Sequence, residues 1–81
     1  MSTLAVKLNP HAVNVEFTDD MLIVELIDGK TISAPLIWFP RLTQASKVER
    51  EDWELLGDGE GIHWPKIDED LSVAGLLAGA H

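Results

Sequence analysis

The sequence predicts an α+β fold in which a small antiparallel sheet, made from an N-terminal strand, a hairpin and a second short hairpin, packs with two or three short helices. Three observations carry this. Apolar residues alternate or cluster over residues 13–17 and 21–35 in the manner of half-buried strands. Residues 36–53 combine helical spacing with a capping signature. A glycine-rich stretch, residues 57–61, separates two short apolar segments. At 81 residues the chain makes one domain, residues 1–81.

Residues 1–10 show no clear period and end in the turn signal Asn9-Pro10. Val13, Val15 and Phe17 then fall on one face of a strand, with Asn14, Glu16 and Thr18 on the other, until Asp19-Asp20 breaks the pattern. Residues 21–27 and 30–35 flank Asp28-Gly29 as a hairpin. A two-residue Asp28-Gly29 loop pairs Val24 with Ser33, which sets an apolar face beside a polar one. A three-residue loop, Ile27-Asp28-Gly29, with Gly29 left-handed in a G1 bulge, pairs Leu26 with Lys30, Val24 with Ile32 and Leu22 with Ala34. That register runs one apolar face through both strands and is the expected one. It sets Leu22, Val24, Leu26, Ile32 and Ala34 against the helices, with Phe39 and Leu76 among the contacts.

Pro35 lacks an N–H donor and so ends the third strand or marks an edge. Leu36, Phe39 and Leu42 recur near helical spacing, and Pro40 is tolerated in a first turn, so a short helix is expected to about Ala45. Ser46-Lys47-Val48-Glu49 fits a capping box opening a second helix to about Trp53, whose Lys47, Glu49, Arg50, Glu51 and Asp52 are expected in solvent. Residues 54–56 and 62–64 are short strands flanking Gly57, Gly59 and Gly61. Alternation buries Trp64 and leaves His63 more accessible. After Pro65, Asp68, Glu69 and Asp70 precede Ser72, an N-cap for a last helix through Val73, Leu76 and Leu77 that Gly79 stops. The acids are read as complementing that helix's partial positive charge.

Composition narrows the function. With 46% apolar residues, three Trp and two Phe, the chain can form a core, although one this short buries only ~60% of its unfolded surface. No cysteine is present, which removes disulfides and thiolate metal ligands. Six basic against 14 acidic residues give a net charge of −8, which disfavours direct nucleic-acid binding and fits either a plain solvated surface or, as the functional alternative, a face for a basic protein partner. No apolar run reaches the roughly 18 residues of a membrane span and the N-terminus lacks a secretory pattern, so the expected location is cytoplasmic.

No catalytic set is legible. The glycine run is no phosphate cradle, since no helix or Lys-Ser/Thr pair follows it and Asp58 and Glu60 repel an anion. The acids at 68–70 lack the alternating ligands and closing Glu of an EF-hand. His63, with Asp58 and Glu60 nearby in sequence, is the one candidate for metal binding or base chemistry; His11 and His81 do not obviously join it. No cofactor is expected.

Asp28-Gly29, residues 35–42, Trp53-Glu54-Leu55-Leu56-Gly57, Gly59-Glu60-Gly61-Ile62-His63-Trp64-Pro65, residues 68–73 and Gly75-Leu76-Leu77 resemble the prokaryotic domain of unknown function 2442 family over roughly residues 15–79. The Gly-Glu-Gly-Ile-His-Trp-Pro block is the specific part. The resemblance implies a compact α+β domain and no established activity. Some longer members of the family carry a repressor-like helix-turn-helix after this domain, and short ones are described beside toxin-like partners. With the sequence stopping at His81, a regulatory role is expected to need a separate DNA-binding chain.

Two functions therefore stand at this level. One is a non-enzymatic interaction module, antitoxin-like or regulatory, binding a protein partner through its acidic surface, with Trp38, Arg41, Glu60, His63, Asp68, Glu69 and Asp70 as partner-binding candidates. The other is a small-ligand or divalent-metal module centred on Asp58, Glu60 and His63. The apolar content also leads us to expect a weak homodimer that tightens as salt screens the −8 charge.

Overall fold

In the computed structural model, which describes residues 11–79, β1 (Ala12–Phe17), β2 (Met21–Leu26) and β3 (Thr31–Pro35) form one antiparallel sheet in the order β1-β2-β3. A 3-10 turn (Leu36–Trp38), α1 (Pro40–Gln44) and α2 (Lys47–Glu51) lead to a second antiparallel sheet of β4 (Glu54–Leu56), β5 (Gly61–Trp64) and β6 (Glu69–Ser72). The chain continues into α3 (Val73–Leu77). The expectations for Met1 to Pro10 and for His81 lie outside the described residues.

The β2–β3 register is the bulged one. Leu22 pairs with Ala34 and Val24 with Ile32, the Leu26 amide donates to Lys30 O at 2.8 Å, and Gly29 has φ +92°. Leu22, Val24, Leu26 and Ala34 are buried with Phe39 and Leu76, and Ile32 packs against them half-buried. β1 departs from simple alternation at one end. A bulge between Ala12 and Asn14 inserts an extra residue, so Ala12 and Val15 enter the core while Val13 is turned out to 49% exposure.

The helical segment after Pro35 breaks into two pieces. Phe39 precedes a proline, whose ring disfavours the helical region for it, and it sits at φ −125°, ψ 86°. Pro40 then opens α1, and the Thr43 hydroxyl ties the pieces together by donating to Leu36 O and Phe39 O. The Ser46–Glu49 capping box is present in full, and α2 ends at Glu51, short of Trp53.

The expected sheet is two sheets, and of the acidic run after Pro65, Glu69 and Asp70 stand in a strand while Asp68 lies in the turn before it. Leu71 lies opposite Ile62 and turns toward the core, so residues 69–72 complete the second sheet as β6, and no acid stands in the first turn of α3. Ser72 does cap α3, accepting from the Gly75 amide, and Gly79 stands beyond the helix at φ +79°.

Side chains from both sheets join one hydrophobic cluster, with Ile62, Trp64 and Val73 fully buried beside Leu22 and Val24. The glycine turn makes the joint between the sheets. Gly59 O accepts from the Ala12 amide at 2.7 Å and Glu60 O from the Val73 amide at 2.9 Å, so the turn binds the start of β1 and the start of α3 together. Gly59 has φ +97°, and a Cβ there would press on the Ala12 carbonyl oxygen and stand 2.9 Å from its nitrogen. Only glycine allows the two backbones this close.

Candidate functional site

β5 is the central strand of the second sheet, and its alternation puts Ile62 and Trp64 inward and His63 outward. Glu54 lies beside His63 on β4 and Asp70 beside it on β6, so one cross-strand row carries a carboxylate on each side of an imidazole. The His63 Nδ1–H donates to Asp70 Oδ1, and the His63 side chain keeps 25% exposure. This bond and the nearby negative charges of Asp70, Glu54 and Asp68 raise the imidazole pKa above its ordinary 6.5 against a smaller opposing cost of burial. In the next row outward, Leu56 is 41% exposed and stands opposite Gly61.

A second cluster forms at the β5–β6 turn. Asp68 has φ +53°, a left-handed conformation unusual for a residue with a Cβ, and Arg41 donates from Nη1 to the carbonyls of Ile67 and Asp68. Arg41 also approaches the Asp68 carboxylate at 3.8 Å, an exposed pair worth little by itself. Arg41 thus binds α1 to this turn. Of the other residues singled out, Trp38 meets Phe39 edge to face with ring centres 6.4 Å apart and is 37% exposed. Glu69 lies half-buried opposite Trp64, and Glu60 approaches His11 at 3.9 Å.

The chain therefore brings His63 to Asp70 and Arg41 to Asp68 but does not assemble Asp58, Glu60 and His63 into one centre. Among the described residues, no three His, Asp or Glu side chains stand close enough together to hold a metal ion. None of the described helices is long and apolar enough to cross a membrane.

Arg50 was expected in solvent. Instead its Nε donates to Leu42 O at 2.8 Å, its Nη2 donates to Thr43 O at 3.0 Å, and its guanidinium carbon lies 6.0 Å from the Phe17 ring centre. Phe17 in turn meets Trp64 edge to face at 6.3 Å, and the Trp64 indole N–H donates to Arg50 O. Sequence reasoning also missed Glu54 as a neighbour of His63. The signal was there, since pairing residues 54–56 antiparallel with 61–63 puts Glu54 opposite His63.

The comparisons fit this architecture. The fold is similar to the crystal structure of a protein of unknown function from Rhodospirillum rubrum ATCC 11170, with 36% sequence identity, 88% of each chain covered and a TM-score of 0.76. No curated protein matches the chain. Residues 12–81 match the profile of the family described as Protein of unknown function (DUF2442), which takes in both sheets, the glycine joint and the His63–Asp70 pair, and to that family the chain belongs.

Proposed function

We propose that this protein is a non-enzymatic interaction module that binds a basic protein partner through the outer face of its second sheet. The observation that carries the reading is how the charges are disposed. All 14 acidic residues lie among the described residues, and none is buried. The described cations are mostly spent inside the molecule: Lys30 pairs with Asp28, Lys66 with Asp52 and Arg41 with Asp68, while Arg50 serves backbone carbonyls. Carboxylates such as Glu16, Asp20, Glu54 and Asp58 have no cation within ion-pair distance among the described residues. An unspent negative field of this kind steers a positively charged surface toward it and repels nucleic acid. Glu54 and Asp70 then rim the docking face and Leu56 gives it an apolar contact, while Arg41 holds the Trp38 segment against the Asp68 turn. An antitoxin-like or regulatory role is one form such a module takes.

Copurification from the native host at low and raised salt tests this. The expected result is a basic protein retained by the wild type at low salt, released at high salt, and lost from a Glu54→Gln/Asp70→Asn double variant. No partner at any salt, or equal retention by the variant, overturns the proposal.

Self-association is a second reading, carried by the exposure of Ile37 (77%), Ile27 (69%), Val48 (66%) and Leu77 (51%). Like-charged copies repel, so sedimentation is expected to show a dimer that strengthens with salt. A monomer at high concentration in both conditions sinks it.

A further inference from the structure

A groove of about 350 Å³ runs between the end of β1 and α2. Phe17, Thr18 and Asp19 make one wall, and Lys47, Arg50 and Glu51 make the other. The three α2 residues are spaced i, i+3 and i+4, which sets them on one side of the helix. Lys47 and Arg50 are the described Lys and Arg side chains that form no ion pair with a described carboxylate. Both line this one groove, although it also holds two carboxylates. Two basic and two acidic residues therefore border the same space with no ion pair among them. Arg50 is fixed by its two carbonyl acceptors and by the Phe17 ring, so that wall is preorganised, and no described residue accepts a hydrogen bond from its Nη1.

We propose that this groove binds a zwitterionic α-amino acid carrying an apolar or aromatic side chain. The ligand's carboxylate meets Lys47 and Arg50, its ammonium meets Asp19 and Glu51, and its side chain meets Phe17. The lining decides against the other ligand classes. A polyanion is opposed by Asp19, Glu51 and the net charge of −8, and a purely cationic ligand by Lys47 and Arg50. A neutral apolar ligand covers Asp19, Lys47, Arg50 and Glu51 without giving any of them a counter-charge. The volume lies at the small end of ordinary ligand sites, which suits a molecule of this size. The site is separate from the face assigned to a protein partner, and either proposal can fail without the other.

The test follows backbone amide shifts by NMR while titrating L-phenylalanine and its three blocked forms: the N-acetyl anion, the amide cation and the doubly blocked neutral compound. L-phenylalanine is expected to shift the amides of Phe17, Asp19, Lys47 and Glu51 and to saturate with a Kd on the order of 1 mM. Each singly blocked form, and each of Lys47→Met and Asp19→Asn, is expected to weaken binding by about tenfold. Both substituted residues are exposed and neither forms an ion pair with a described residue, so the variants keep their fold, which circular dichroism checks. The proposal is overturned if L-phenylalanine gives no saturating shift, if any blocked form binds as tightly as the zwitterion, or if both variants bind like the wild type.

Discussion

In the first sheet, strands of five or six residues put Val15, Leu22, Val24 and Ala34 into the core by alternation, whereas the second sheet has strands of only three or four residues and relies on special contacts. Those contacts are a glycine pressed against Ala12, an indole bonded to Arg50 O, an arginine holding a turn and a histidine bonded to an aspartate. A long strand buries enough apolar surface to define its own face; a short one needs fixed points from outside. The difference predicts where the molecule is most easily broken.

Gly59→Ala is expected to have the largest effect. It adds a Cβ that collides with Ala12 at a φ of +97°, and the backbones it separates are those joining the two sheets. We expect a loss of about 3 kcal/mol or more in urea unfolding. Gly29→Ala is its control, because Gly29 has nearly the same φ, +92°, and open space around it. Backbone strain alone then costs about 1–2 kcal/mol. If the two variants lose equal stability, the joint is not where the second sheet is held.

Trp64→Phe comes next. It removes the indole N–H donor to Arg50 O and leaves unfilled volume at a fully buried position. The expected cost is about 2–3 kcal/mol. Hydrogen exchange should rise more in β5 and β6 than in β2; a uniform rise would mean that the second sheet has no separate dependence on this contact.

How far each sheet could be read from sequence follows from the same contrast. The β2–β3 register was legible because face matching chose between two loops, and α2 because its capping box is local. Val13 misled because a bulge leaves no mark in an alternating apolar pattern. β6 was missed because Glu69-Asp70-Leu71-Ser72 has one apolar residue, and its strand character comes from Ile62 and His63 on a neighbouring strand. Arg50 looked solvated because the carbonyls it serves belong to α1, and Gly59 looked like turn chemistry because the residue it touches is 47 positions earlier (59 − 12). Of the candidate site, His63 outward and Trp64 inward were legible from alternation. The partners of His63 depended on a strand the composition disguised.

Ser46→Ala has a smaller effect. It removes the cap of α2, the helix whose Arg50 carbonyl accepts the Trp64 indole, at a cost of about 1 kcal/mol in urea unfolding. The helix amides should exchange faster while β2 and β3 stay protected. Faster exchange throughout the first sheet would show that α2 supports both sheets equally.

The smallest effect on stability is expected at His63, whose pair is partly exposed and screened by water. The folded-state pKa is raised above 6.5, so charged His63 contributes its full stabilisation below the unfolded value of about 6.5 and loses it as pH rises through the folded value. The groups facing it are Asp70 on β6, Glu54 on β4 and Asp68 in the turn, all acidic, so each favours the protonated ring. An NMR titration of the His63 ring protons should give a midpoint above 6.5 in the wild type. Asp70→Asn removes the hydrogen bond and charge that raise it most and should bring it down, while Glu54→Gln should lower it less. If Asp70→Asn leaves the midpoint unchanged, the cross-strand pair does not hold β5 to β6, and the second sheet must rest on the glycine joint, the indole and the Arg41 contact with the turn.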